Sequence, residues 1–248
     1  MWTLLHGFTG SPKSWKRVVE QADLGPTLIP SLTGHGRGWR ARTVASFEGE
    51  VTRLTSLASS ADRPRLLCGY SMGARVALGL LACKPNLFDA AVLIGVHPGL
   101  SEEAARAERS EIDARRARLL REEGLATFVA EWEELPLFAT QRGLSPEVLA
   151  EQRESRLAHD AEGLARSLEV LGLAAMPDYG PVLASLEIPI TIMAGSLDPK
   201  FSRIAKVLAK GNPRIEVALV NGVGHNVLLE APDAVVAALK SAEDSSCR

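Results

Sequence analysis

Apolar residues fall in two rhythms along this chain. Six short, nearly unbroken apolar runs read as strands: Trp2–Leu5, Thr27–Leu32, Leu66–Tyr70, Ala90–Gly95, Ile190–Ala194 and Ile215–Val220. Runs with little period-two alternation are what strands buried on both faces require. The stretches between them carry helical spacing, as in Ser14–Ala22, where Trp15, Val18, Val19 and Ala22 fall at i, i+3, i+4 and i+7. Strands alternating with helices predict an α/β fold: a mostly parallel six-stranded sheet with right-handed crossovers and helices on both faces. Pro30 removes a ladder donor and sends the second run to an edge.

One interval breaks the alternation. About ninety residues separate the fourth run from the fifth, too many for a structureless loop. Their pattern is helical: Ser101 ahead of Glu102 and Glu103 starts a long helix to about Glu123, Ser145-Pro146-Glu147 starts another, and Asp160 a third. The expected organisation is a core of residues 1–95 and 188–248, with 96–187 inserted as a helical cap over the C-terminal ends of the strands.

The chemistry gathers at those ends. Gly69-Tyr-Ser-Met-Gly73 closes the third run and opens a helix-forming stretch, Ala74 to Cys83. This is the Gly-x-Ser-x-Gly turn that holds a serine exposed and strained at a helix N-terminus. The fifth run leads to Asp198 and the sixth to His225, the only histidine downstream of Asp198. Serine, acid and histidine in this order, each after a later strand, predict a triad of Ser71, Asp198 and His225. The oxyanion hole is then expected from the amide of Met72, next to the nucleophile, and that of Phe8 in the His6-Gly7 loop after the first strand.

Composition narrows the partners. With 28 basic and 30 acidic residues the formal net charge is −2, giving no reason to expect nucleic acid or an anionic membrane as partner. The first strand follows Met1 directly and no apolar run is of bilayer length, so neither a leader nor a membrane span is expected. Cys68, Cys83 and Cys247 make no zinc-type spacing and read as reduced thiols of a cytoplasmic protein. No metal or other cofactor is called for, and the last six or so residues read as a frayed tail. The cap segment holds ten arginines and no lysine. Solvated Arg–Glu helix faces account for most of them, Arg115, Arg116, Arg118 and Arg121 included. Arg75 is different: it sits one turn into the helix after Ser71, where the dipole disfavours a cation, and this points to an anionic ligand.

These motifs resemble the α/β-hydrolase superfamily over essentially the whole chain. Within it the sequence is similar to the 2-succinyl-6-hydroxy-2,4-cyclohexadiene-1-carboxylate synthase family of menaquinone biosynthesis. The likeness rests on Leu5-His-Gly-Phe-Thr-Gly10, Gly34-His-Gly36, Gly69–Ala77, His97-Pro-Gly-Leu100 with Arg106-Ala-Glu-Arg109, Phe128–Trp132 with Pro136-Leu-Phe138, Asp198-Pro-Lys-Phe201 and Gly224-His-Asn226. The resemblance implies a lyase that takes a proton from a cyclohexene carboxylate bearing succinyl and enolpyruvyl groups and expels pyruvate. It further implies that Arg75, Arg109 and Arg153 hold the carboxylates of this small polycarboxylate substrate, with Tyr70 and Trp132 lining the pocket. Arg156 lies close enough to Arg153 to compete for that place. Most superfamily members carry an antiparallel hairpin ahead of the first parallel strand, whereas only Met1 precedes it here. The expected fold is therefore the hydrolase sheet without that hairpin, edged by Thr27–Leu32. A hydrolase on the same triad, or a non-catalytic ligand receptor on the same fold, stays open beside the lyase.

Overall fold

The computed structural model describes residues 1–246; the thiol expected at Cys247 lies outside them. Six strands, β1 (Trp2–Leu5), β2 (Thr27–Leu28), β3 (Leu66–Tyr70), β4 (Ala90–Ile94), β5 (Ile190–Gly195) and β6 (Ile215–Val220), form one sheet in the order β2-β1-β3-β4-β5-β6. Every pairing is parallel. Register aligns Leu5 with Gly69, Tyr70 with Ile94 and Gly195 with Val220, so the strands end level along one edge. A site in an open α/β sheet is built at such an edge.

The four central strands bury both faces, whereas the edge strands β2 and β6 are only partly covered. Leu4, Leu66, Cys68, Val92 and Ile94 join a cluster with Trp15 and Val18 of the first helical segment and Val235 and Leu239 of the last. Their neighbours Leu5, Leu67, Ala91 and Leu93 join the opposite cluster, with Phe47, Val51 and Leu80. The first face is covered by α1 (Lys16–Ala22), the second by α2 (Phe47–Ser59) and α3 (Met72–Cys83).

The helices α4 (Glu103–Glu122), α5 (Gly124–Glu133), α6 (Pro146–Leu157), α7 (Ala161–Leu171) and α8 (Gly180–Ser185) lie between β4 and β5, with a 3-10 helix at Pro136–Gly143. Phe128, Val129, Leu120, Leu164 and Leu168 give α4, α5 and α7 a core of their own. From Val170 onward the chain packs into the main core through Leu171, Leu173, Met176 and Leu183. After β5 come α9 (Pro199–Gly211), α10 (Val227–Glu230) and α11 (Pro232–Ser246).

Several expectations are corrected. β2 ends at Leu28 because Pro30 carries no N–H, and Leu32 N–H is taken by His6 Nε2 (3.2 Å) instead of a strand. Residues 14–22 are a 3-10 turn, Pro12–Trp15, continued by α1. Ser101 does not cap α4, which follows Glu102 without a side-chain cap, whereas Ser145 and Asp160 do cap α6 and α7. The tail is helical to Ser246, tied down by buried Ala242 and by Trp2 Nε1 donating to Glu243 Oε1 at 2.8 Å.

Three histidines join the cap to the core. His159, before α7, accepts from Gly36 N–H through Nδ1 (3.0 Å) and donates from Nε2 to Thr9 O (3.1 Å). His35 packs edge-on against both His159 and His6. Burial pushes His6 down to about 4, His35 well below the ordinary value and His159 downward. A histidine that is neutral when folded costs stability wherever only the unfolded chain binds its proton, here from about pH 6.5 downward. For His6 alone the loss, complete near pH 4, is on the order of 3 kcal/mol. Denaturant midpoints are therefore expected to fall between pH 6.5 and 5, above the range of ordinary carboxylates. A flat profile there would remove the account.

Candidate active site

Ser71 stands between β3 and α3 with φ 52° and ψ −108°, a left-handed conformation that costs a non-glycine residue energy. The bend closes because its flanks have no side chains: a Cβ on Gly69 would lie 2.5 Å from Gly73 O, and one on Gly73 would lie 2.2 Å from Leu5 O. Ser71 N–H still donates to Ile94 O at 2.8 Å, which locks the turn to β4.

His225 and Asp198 meet this serine from the loops after β6 and β5. His225 Nε2 is 3.0 Å from Ser71 Oγ, and His225 Nδ1 is 2.8 Å from Asp198 Oδ2. The carboxylate accepts from Nδ1–H, which leaves Nε2 to accept from the serine hydroxyl. Asp198 is itself held, since its Oδ1 accepts from Phe201 N–H at the start of α9 (3.2 Å). Packing fixes the imidazole: the Phe201 ring centre is 4.5 Å away and Tyr70's 5.6 Å. The arrangement is a hydroxyl next to an oriented imidazole base, competent either to attack or to take a proton. Met72 opens α3, where no preceding helical carbonyl takes its N–H, and both Met72 and Phe8 line the cavity.

That cavity, of about 270 Å³, is strongly cationic. Arg75 is 7% exposed and donates from Nη1 to Leu171 O at 2.7 Å. Its burial, with Arg109 nearby, pushes it down to about 9, still protonated at neutral pH. Arg109, Arg116 and Lys200 complete the charged side. Burial lowers Lys200, and burial with Lys200, Arg75 and Arg109 holds His97 down to about 4. Asp113 pairs with Arg109 and Arg116, while no carboxylate among the described residues lies within 4 Å of Arg75 or Lys200. The rest of the lining is largely apolar, with Phe8, Trp132, Phe138 and Leu173.

Of the side chains singled out in the sequence, Ser71, His225, Tyr70, Arg75, Arg109 and Trp132 line this cavity, as do Phe8 and Met72. Asp198 stands behind His225. Arg153 does not reach the cavity: it is half exposed on α6 and pairs with Glu133. Arg156, three residues on, is buried, bonds the same Glu133 at 3.0 Å and lies over the Phe138 ring, one layer behind the wall. Arg116, expected on a solvated face, lines the cavity instead, 5.1 Å over Trp132. Lys200 was also missed. Yet Arg116 is seven residues from Arg109, on the same helix face, and Lys200 sits in the first turn of α9, where the dipole argument used for Arg75 applies equally.

A strained serine elbow at the end of a central parallel strand, relayed to histidine and acid from later strands, defines a hydrolase-type enzyme centre. The alpha/beta hydrolase family matches residues 4–238, and the chain belongs to it. More particularly, the chain is 35% identical over 242 residues to the 2-succinyl-6-hydroxy-2,4-cyclohexadiene-1-carboxylate synthase of Salmonella agona (strain SL483), covering 95% of this chain and 90% of that one. It is 33% identical over 240 residues to the synthase of the same name from Klebsiella pneumoniae, with the same coverage. Among solved structures, MenH from S. aureus superposes with a TM-score of 0.91 at 30% identity, covering 100% of this chain and 94% of that one. A thermophilic esterase from Thermogutta terrifontis shares the fold, with a TM-score of 0.82 at 24% identity over 99% of this chain and 89% of its own. No described helix is long and apolar enough to cross a membrane.

Proposed function

We propose that this enzyme is a 2-succinyl-6-hydroxy-2,4-cyclohexadiene-1-carboxylate synthase, a lyase that expels pyruvate from an enolpyruvyl, succinyl-bearing cyclohexene carboxylate. The observation that carries the reading is the charge of the cavity beside Ser71. Four cations, Arg75, Arg109, Arg116 and Lys200, line it, and only Arg109 and Arg116 pair with a carboxylate, that of Asp113. A neutral ester would leave that surplus uncompensated in a partly buried site, whereas the substrate brings succinyl, ring and enolpyruvyl carboxylates.

The geometry turns binding into elimination. His225, oriented by Asp198, draws the Ser71 proton onto Nε2, and the serine oxygen takes the acidic ring proton next to the succinyl ketone. The electron pair moves onto the ketone oxygen, where the Phe8 and Met72 amides and the N-terminus of α3 stabilise the enolate. Collapse of the enolate breaks the carbon–oxygen bond to the enolpyruvyl group, and the His225 proton is available to the departing oxygen. Base, relay and oxyanion donors all come from this chain. The free thiols Cys68 and Cys83 accord with a cytoplasmic setting.

The test is incubation with the enolpyruvyl precursor, scored for pyruvate by a coupled dehydrogenase. Pyruvate should appear one-for-one with the conjugated cyclohexadiene. Precursor left intact by an enzyme that turns over neutral esters would move the assignment to the hydrolases.

A further inference from the structure

Asp113 is an anomaly on α4. It is 5% exposed in the middle of a charged helix, and its nearest partners are two arginines of the same face. Arg109 Nε donates to Oδ2 at 2.9 Å. Arg116 Nη1 stands 3.6 Å from Oδ1, which accepts no hydrogen bond among the described residues. The three occupy positions i, i+4 and i+7 of one helix stripe. Space for the carboxylate exists because position 172 is glycine: a Cβ there would lie 2.8 Å from Oδ2 and 2.3 Å from Leu168 O.

We propose that Asp113 is a positioning residue that sets Arg109 and Arg116 as a paired clamp for the substrate's carboxylates, which makes Arg116 a substrate-binding side chain. Arg109 is gripped through Nε, so both terminal nitrogens remain for an anion. Arg116 is held between Asp113 and the Trp132 face. Two guanidiniums this close in a half-buried wall repel each other, and burial and Arg109 both lower Arg116. The carboxylate between them offsets that repulsion. The identity of the anion rests on the lyase reading; the clamp itself does not.

Charge and position make opposite demands on Asp113→Asn, which is what makes it a useful variant. The substitution adds net positive charge to the cavity, so electrostatics alone would tighten anion binding, whereas loss of the clamp would weaken it. Asparagine also keeps the side-chain volume that Asp113 places beside Gly172 and along a second cavity, which alanine would remove.

Binding of propane-1,2,3-tricarboxylate is measured by calorimetry at fixed pH and ionic strength. Wild type should bind saturably, Asp113→Asn and Arg116→Gln should each weaken binding tenfold or more, and the double variant should lose much less than the product of the two. For the precursor, KM should rise more than kcat falls. Unchanged or tighter binding in a folded Asp113→Asn protein, independent losses, or no saturable binding by wild type would overturn the clamp. If Asp113→Asn does not fold, Arg109→Gln and Arg116→Gln decide: coupled losses support the clamp, and unaltered binding in Arg116→Gln removes it. The expected binding pattern in a protein that releases no pyruvate would keep the clamp and sink the lyase reading.

Discussion

Ser71→Ala is expected to lower kcat for pyruvate release by about 10²–10⁴-fold, the range for a positioned acid–base group. The fold should survive, because among the described residues Ser71 Oγ bonds only His225 Nε2 and the elbow is held by the Ser71 amide. His225→Ala should cost a similar factor, and the double variant little more, since each group works through the other. The chemistry also fixes what must not happen. A serine that takes a proton makes no bond to carbon, so the intact mass of wild type in turnover should match that of the resting protein. A nucleophilic serine would carry a substrate-derived acyl group, visible as an added mass on the Ser71 peptide. Loss of activity in Ser71→Ala together with such an adduct would place the chain among the hydrolases.

Strands β3 and β4 could be read from the sequence because both of their faces are buried, and burial alone dictates an unbroken apolar run. β2 could not be read to its end. Ile29 and Leu32 extend its apolar pattern, but the ladder stops where Pro30 offers no donor and His6 captures the Leu32 amide, a contact across 26 positions. α5 was missed because Gly124 reads as a stop; at φ +82° it ends one helix and begins the next within a residue. The triad was legible since its order along the chain follows the order of strand ends, which the parallel topology makes level. The arginines were harder. α4 has no apolar stripe, burying only Asp113, Ala117 and Leu120, so nothing in its pattern says which face turns inward. On α6, Arg153 and Arg156 are one turn apart, and only Glu133 from α5, which pairs with both, reveals that one is half exposed and the other buried.

Arg75→Ala should reduce kcat/KM by roughly 30-fold to several thousand-fold, corresponding to about 2–5 kcal/mol for truncating one side of a buried charge pair. Among the described residues Arg75 forms no ion pair with a carboxylate, and Leu171 O and Met176 Sδ are its only hydrogen-bond partners. An unpaired buried guanidinium is a cost to the folded protein that the substrate's carboxylate would offset. The unfolding midpoint of Arg75→Ala is therefore expected to hold or rise while activity collapses, because loss of the cation compensates for the carbonyl left without its donor. Arg118, exposed on α4, supplies the control: Arg118→Ala should change stability by less than about 0.5 kcal/mol and leave kcat/KM almost unaltered. Stability and kinetics must be measured on the same preparations, since a merely structural role for Arg75 predicts that both fall together. Equal, small effects at positions 75 and 118 would mean that the arginines report only composition. A neutral ester or ketone would then fit the cavity better than a tricarboxylate.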